Sequence, residues 1–139
     1  MKLTYPACFY KDEEGSEGYA IEVPDLPGCA SGGPNLTEAI AMITDAASGW
    51  ILTYLEKGRE IPRPSPMHKI TPAEKNGFVN LIYLNIDEYA KKHNHATIQK
   101  SIEIPAYLNA FAESQHINYS QLLQEALAEK HRQQYNAPF

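Results

Sequence analysis

The 139-residue sequence lacks any apolar run of the ~18 residues that a membrane-spanning helix requires. Its N-terminus has no apolar core of signal-peptide length, so we expect a cytoplasmic product with no membrane partner. Only two cysteines are present, Cys8 and Cys29, too few for a disulfide scaffold, and we expect both as small core residues. Hydrophobic residues still make up 43% of the chain, which predicts a globular protein of one ordinary domain or two small ones.

Basic residues are too few for the whole protein to attract nucleic acid by charge. The chain has 12 Lys and Arg against 17 Asp and Glu, a net charge of −5, so any such binding must come from a local surface. Residues 1–66 alone carry −5, and the carboxylates are densest at Asp12, Glu13, Glu14 and Glu17. This segment either attracts a basic partner or is an ordinary solvated loop, and composition leaves both interpretations open.

Alternating apolar residues predict a sheet in the first half of the chain. The period of two from Leu3 to Tyr10 predicts a strand, and residues 19–23 predict a second one after a polar loop. Pro6 cannot donate to a ladder, so we expect the first strand at a sheet edge or with a bulge. The sequence PDLPG at residues 24–28 predicts a tight turn before a short third strand.

A long amphipathic helix follows these strands. Asn35 and Glu38 have capping-box spacing, and Gly58 lies where a left-handed C-cap belongs. Apolar residues recur every three or four positions and predict a face that covers the sheet: Leu36, Ala39, Ile40, Ile43, Ala47, Trp50, Ile51, Tyr54 and Leu55. Residues 78–84 predict a strand that returns to the first sheet, because a lone strand is not stable, and residues 86–92 predict a short helix.

A different pattern begins after a seam near residues 91–96. Residues 97–104 alternate as a strand, and helices are predicted over about 105–115 and 118–134, the second with capping-box spacing at Asn118 and Gln121. Such a unit is too small for a core of its own, and its strand has no neighbour. Pairing with the same strand of a second copy solves both problems, so we expect a homodimer through residues 97–104 and the helices.

These residues carry two resemblances. Residues 97–130 resemble a ribbon-helix-helix domain, the intertwined dimer family of Arc and MetJ, in the strand QKSIEI (99–104), the following proline and the helix start INYSQLL (117–123). Residues 3–84 resemble the N-terminal domain of HicB antitoxins in YPA (5–7), GY (18–19), PDLPGC (24–29), EA (38–39), IP (61–62) and PS (64–65). The resemblance implies an α+β fold: a partial ribonuclease H-like β-β-β-α-β domain over residues 1–92 and a ribbon-helix-helix β-α-α domain over residues 96–139.

The resemblance also implies a function. HicB proteins bind and block HicA, a small basic RNase toxin that cleaves mRNA, and many repress their own operon through the C-terminal domain. It therefore implies an antitoxin rather than an enzyme, with a HicA-type toxin and operator DNA as partners and no cofactor or metal. The acidic first half agrees with a basic partner, and the candidate toxin-binding residues are Asp12, Glu13, Glu14, Glu17, Tyr10 and Tyr19.

The ribbon-helix-helix resemblance also implies DNA-binding residues. The paired strands of such a dimer lie in the major groove, and the register set by Pro105 turns Gln99, Ser101 and Glu103 outward. Ile98, Ile102 and Ile104 then face inward together with Lys100, whereas a slip of one residue would put Lys100 on the DNA. The start of the second helix, at Asn118, Tyr119 and Ser120, would offer N–H groups to a phosphate.

Two other functions stay open. One is a stand-alone ribbon-helix-helix transcription regulator, and the other is a divergent nuclease. A two-metal nuclease needs converging carboxylates, but the first and last predicted strands carry none, and Glu22 and Asp25 are expected as strand and turn residues. His93 and His95 predict a hydrated hinge, since zinc would need two more ligands within reach.

Overall fold

The computed structural model describes residues 1–93 and 97–135. The chain divides into two compact units, Lys2–His95 and Ala96–Phe139, which we call the N-terminal and C-terminal units. Within the described ranges, no helix combines the length and apolar character needed to cross a membrane. The architecture is mixed α+β, with one four-stranded antiparallel sheet.

The sheet of the N-terminal unit consists of β1 (Lys2–Lys11), β2 (Tyr19–Glu22), β3 (Ala30–Gly33) and β4 (Phe78–Asn85). Its strand order is β3-β2-β1-β4. The last strand returns to pair with the first, from Lys2 opposite Asn85 to Phe9 opposite Phe78. The sequence-based prediction that this strand rejoins the first sheet is therefore confirmed.

The expected edge position of β1 holds at Pro6 but not for the whole strand. By strand order β1 lies inside the sheet, paired with β4 over Lys2–Phe9 and with β2 over Cys8–Lys11. Pro6 lies outside the stretch that pairs with β2, so the ladder on that side needs no N–H from it. The missing donor is thus tolerated because β1 has a single neighbouring strand at Pro6.

One helix, α1 (Leu36–Glu56), covers one face of this sheet. Its predicted ends are confirmed, because the Asn35 side chain accepts a hydrogen bond from the Glu38 N–H at 2.9 Å and Gly58 has a φ of +69°. Gly33 permits the close approach of β3 to α1, since a Cβ there would lie 2.6 Å from the backbone nitrogen of Ala39. The helix α2 (Ile86–Lys92) follows β4 directly and matches its predicted range.

The core lies between α1 and the sheet and includes Tyr5, Ile21, Leu26, Ile43, Ile51 and Leu84. Both cysteines are free and buried, as expected, and burial raises the pKa of each thiol. The stripe of α1 is only partly buried, however. Trp50, expected in the core, is half-buried, and its indole N–H donates to the Pro27 carbonyl at 3.1 Å.

The C-terminal unit contains α3 (Ala106–Ser114) and α4 (Tyr119–Tyr135). The turn between them includes His116 at a φ of +54°, and the Ile117 N–H donates to the Ala112 carbonyl at 3.0 Å. The predicted cap is confirmed, because the Asn118 side chain accepts from the Gln121 N–H at 3.0 Å. The segment 97–104 has no helix or strand within the single chain. The predicted strand requires the same segment of a second copy as its neighbour, so it stays a prediction.

Candidate functional site

The loop between β1 and β2 carries the four candidate carboxylates, Asp12, Glu13, Glu14 and Glu17, which we call the acidic loop. The Asp12 N–H donates to the Gly18 carbonyl at 2.9 Å and joins the two ends of the loop, and the Ser16 N–H donates to the Glu13 carbonyl at 2.9 Å across its middle. All four acidic residues are exposed. The loop therefore presents a concentrated negative charge on an ordered hairpin.

Tyr10 is half-buried, and its hydroxyl has partners within the N-terminal unit. It donates to Glu22 Oε1 at 2.9 Å and accepts from the Ala73 N–H at 2.9 Å. Burial of the phenol is the main cause that raises the pKa of Tyr10 to about 12; the Ala73 N–H opposes this shift and Glu22 adds to it. A partner can therefore contact the ring edge of Tyr10, but its hydroxyl already serves the fold.

Tyr19 lies on the opposite face of the sheet from Tyr10 and belongs to a row of aromatic rings. Its ring meets the edge of Phe78 with centroids 6.4 Å apart, and Phe78 stacks on Phe9 at 5.1 Å. Phe78 was not among the sequence-based candidates. The signal that could have identified it is its place as an aromatic residue at the start of the last strand of the sheet. The structure thus brings Tyr19 and the acidic loop to the same end of the sheet.

The carboxylates considered for a nuclease have separate structural roles. Glu22 accepts from the Tyr10 hydroxyl, whereas Asp25 accepts from both the backbone N–H and the hydroxyl of Ser65, at 2.8 and 2.6 Å. Over residues 1–93 and 97–135, no three His, Cys, Asp or Glu side chains form a group that would hold a metal ion. These contacts agree with the strand and turn roles that the sequence predicts for Glu22 and Asp25.

His93 stacks on Tyr89 with ring centroids 4.0 Å apart, and its Nε2 lies 3.8 Å from the Asp45 carboxylate. The proposed hinge also includes His95, which lies outside the described residues. His93 therefore packs on the end of the N-terminal unit.

The C-terminal unit leaves most of its apolar side chains exposed. Among its described residues only Ala112 is buried. The exposed apolar side chains lie on the segment before α3 and on both helices: Ile98, Ile102, Ile104, Tyr107, Leu108, Phe111, Leu122, Leu123 and Leu127. A few scattered apolar residues on a protein surface need no explanation, whereas nine exposed apolar side chains in one small unit do.

The candidate DNA-binding residues fall into two groups. Gln99, Ser101 and Glu103 are exposed on the extended segment before α3. At the start of α4, Asn118 caps the helix, and the Tyr119 hydroxyl donates to Asn109 Oδ1 at 2.6 Å. Ser120 is exposed. Asn118 and Tyr119 therefore hold the helix start in place, whatever else they contact.

Comparison with known proteins points to one family. Over residues 5–127 the sequence matches the family described as HicB-like antitoxins of bacterial toxin-antitoxin systems. An uncharacterized 14.9 kDa protein from the rep-hol intergenic region of Haemophilus phage HP1 is 31% identical over 108 residues, which cover 76% of each chain. Antitoxin HicB 2 of Photorhabdus laumondii is 41% identical over 63 residues, covering 45% of this chain and 43% of that protein.

The fold is also similar to a solved structure. A chain of a toxin-antitoxin complex from Streptococcus pneumoniae superposes with a TM-score of 0.59 at 26% identity. The superposition covers 94% of this chain and 99% of that chain, so it includes both units.

Proposed function

The chain belongs to the HicB-like antitoxin family of bacterial toxin-antitoxin systems, and we propose that it binds and neutralises a HicA-type toxin that cleaves mRNA. The family is one of antitoxins, and the chain is not an enzyme. The observation that carries the proposal is the family match, which spans residues 5–127. Action in the cytoplasm follows from the proposal, because the toxin's mRNA substrate is there.

Toxin binding is assigned to the N-terminal unit, over residues 1–92. The acidic loop supports this assignment, because its four exposed carboxylates attract a basic protein and speed its encounter. Tyr19 and Tyr10 lie on opposite faces beside this loop, and tyrosine is among the residues that contribute most to protein interfaces.

Homodimerisation is assigned to residues 96–139. The support is the exposed apolar surface of the C-terminal unit, together with the segment 97–104. This segment has the alternating pattern of a strand, but it pairs with no other strand within one chain. A second copy supplies both the missing strand and the cover for Leu122, Leu123 and Leu127. This is the ribbon-helix-helix arrangement. For the N-terminal unit, we propose the partial ribonuclease H-like fold.

Repression of its own operon is the second part of the proposed function. In a paired ribbon, Gln99, Ser101 and Glu103 face the major groove, where Gln pairs with adenine and Glu accepts from cytosine. The N-terminus of α4, over Asn118–Ser120, faces a phosphate. Residues 96–139 have a net charge of −1, so we expect DNA affinity to be modest and highly sensitive to salt.

Co-expression tests the antitoxin role. A short basic reading frame beside the gene for this chain is the expected toxin, and its induction alone is expected to arrest growth. Co-expression of this chain is expected to restore growth, whereas arrest that persists despite a soluble antitoxin would contradict the proposal. A gene with no such neighbour would instead favour the stand-alone transcription regulator.

A further inference from the structure

A groove runs between the start of α1 and the adjoining end of the sheet. The Tyr19–Gly33 pair and the contact of Gly33 with Ala39 place Tyr19 on the face that α1 covers, and the pairs Phe9–Ile21 and Phe9–Phe78 place Phe78 there too. Tyr19 and Leu36 line one open depression of about 340 Å³, together with Lys11, Glu17, Asn35 and Thr37. One wall of the groove is therefore the start of α1, and Tyr19 lies across from it.

The helical wall is apolar and open to solvent. Leu36 and Ile40 lie one turn apart on the same stripe as the buried Ile43, yet they are 40% and 39% exposed. Phe78 on the floor is 43% exposed. Leu36 and Ile40 continue the core-facing stripe of α1 beyond the part of the sheet that covers it. Together with Phe78, they are exposed apolar side chains on the face of the sheet that α1 covers, and exposed apolar groups of this kind mark protein interfaces.

One acidic residue lines this groove. Glu17 lies in the same depression as Tyr19 and Leu36, and the other three carboxylates of the acidic loop precede it along the chain. Lys11 also lines the depression, but it is a single cation beside four exposed carboxylates. An apolar centre with a negative rim is complementary to a protein that presents an apolar side chain among Lys or Arg residues.

We infer that this groove, formed by Tyr19, Leu36, Ile40 and Phe78 with Glu17 at its rim, is the docking site for a basic protein. Apolar side chains of the partner enter between α1 and Phe78, and its cations face the acidic loop. A second copy of this chain does not fit, because it would bring a second acidic loop against the first, and nucleic acid is repelled for the same reason. The inference rests on the proposed function, whose toxin is this partner.

Two pairs of variants of the full chain test the groove. In the first pair, Leu36→Ala with Ile40→Ala removes the helical wall, and Met42→Ala is the control, since Met42 is 52% exposed on the same helix outside the stripe. Alanine preserves helix propensity, and equal melting temperatures would confirm that all variants are folded. In the second pair, Glu17→Lys reverses the rim charge, and Glu60→Lys is the control, since Glu60 is exposed in the segment that follows the C-terminal end of α1.

Binding is measured by calorimetry and by surface association kinetics against the toxin encoded beside this gene, in a form that no longer cleaves RNA. We expect the double variant to raise the Kd by about 30-fold or more and Glu17→Lys to slow association, most strongly at low salt. Both controls are expected to bind as the wild type does.

Unchanged binding by both groove variants would overturn the docking site while the antitoxin role stands. If the wild type itself does not bind, the proposed function fails and the inference fails with it. A changed oligomeric mass in the double variant, with toxin binding intact, would show that the groove joins copies of this chain and would also overturn the inference.

Discussion

Asp25 accepts two hydrogen bonds from Ser65, one from the backbone N–H at 2.8 Å and one from the hydroxyl at 2.6 Å. The two residues are 40 positions apart, so this contact fastens the turn after β2 to the proline-rich segment that follows α1. Hydrogen bonds to a charged acceptor are the stronger ones in proteins, and this acceptor is only partly exposed.

Asp25→Ala is therefore expected to lower the free energy of unfolding by about 2 kcal/mol, measured by urea denaturation. Ser65→Ala is expected to be less costly, and the double variant should cost less than the sum of the two, because they remove the same contact. Glu13→Ala, at an exposed loop carboxylate, is the control and should stay within about 0.5 kcal/mol of wild type. Additive effects of Asp25→Ala and Ser65→Ala would contradict the coupling.

Tyr10 gives a prediction for alkaline pH. Its pKa is raised to about 12, chiefly by burial, from an ordinary value of about 10 in the unfolded chain. The folded state therefore holds this proton more tightly, and the resulting stabilisation is complete below about pH 10 and lost as the pH rises towards about 12. We expect the unfolding free energy of the wild type to fall more steeply over this range than that of Tyr10→Phe. Parallel curves for the two proteins would contradict it.

The local signals in the sequence predicted the local structure well. The caps at Asn35, Gly58 and Asn118 depend only on neighbouring residues, and the structure has each of them. The edge-like surroundings of Pro6 were predicted, but the interior position of β1 as a whole was not. Strand order is decided by which strands pair, and β4 is about 70 residues further along the chain. Helical periodicity likewise predicted the stripe of α1, but not where the sheet beneath it ends, so the exposure of Leu36 and Ile40 had no signal in the sequence.

The segment 97–104 shows a second limit of sequence reasoning. Its alternation predicts a strand, but a strand exists only where a partner provides the ladder, and in one chain Ile98 is 78% exposed. Of the candidate site residues, the acidic loop is displayed as a binding surface requires, whereas the hydroxyls of Tyr10 and Tyr119 are directed into the protein. Side-chain direction of this kind depends on tertiary contacts.

The proposed dimer predicts that one of two neighbouring substitutions dissociates it and the other does not. Ile102→Glu places a charge on the inner face of the ribbon, so we expect a lower mass by light scattering and a loss of unfolding cooperativity in the C-terminal unit. Ser101→Glu adds the same charge on the outer face and should leave the mass unchanged. A wild-type monomer at high concentration would contradict the dimer.

Sequence-specific DNA recognition predicts a role for Gln99. If its amide pairs with an adenine, Gln99→Ala should lose about 1–3 kcal/mol of discrimination between operator and scrambled DNA, measured by fluorescence anisotropy at several salt concentrations. Gln133→Ala, near the end of α4, is the matched control and should bind as wild type. Full operator discrimination by Gln99→Ala would show that the ribbon register is shifted.

Inhibition of RNA cleavage tests the central claim most directly. The toxin encoded beside this gene is incubated with single-stranded RNA while increasing amounts of this chain are added, and the intact RNA is quantified. We predict that cleavage ceases near a stoichiometric ratio and that the chain alone cleaves nothing. Cleavage that continues at the uninhibited rate in a large molar excess of the folded chain would contradict the antitoxin function.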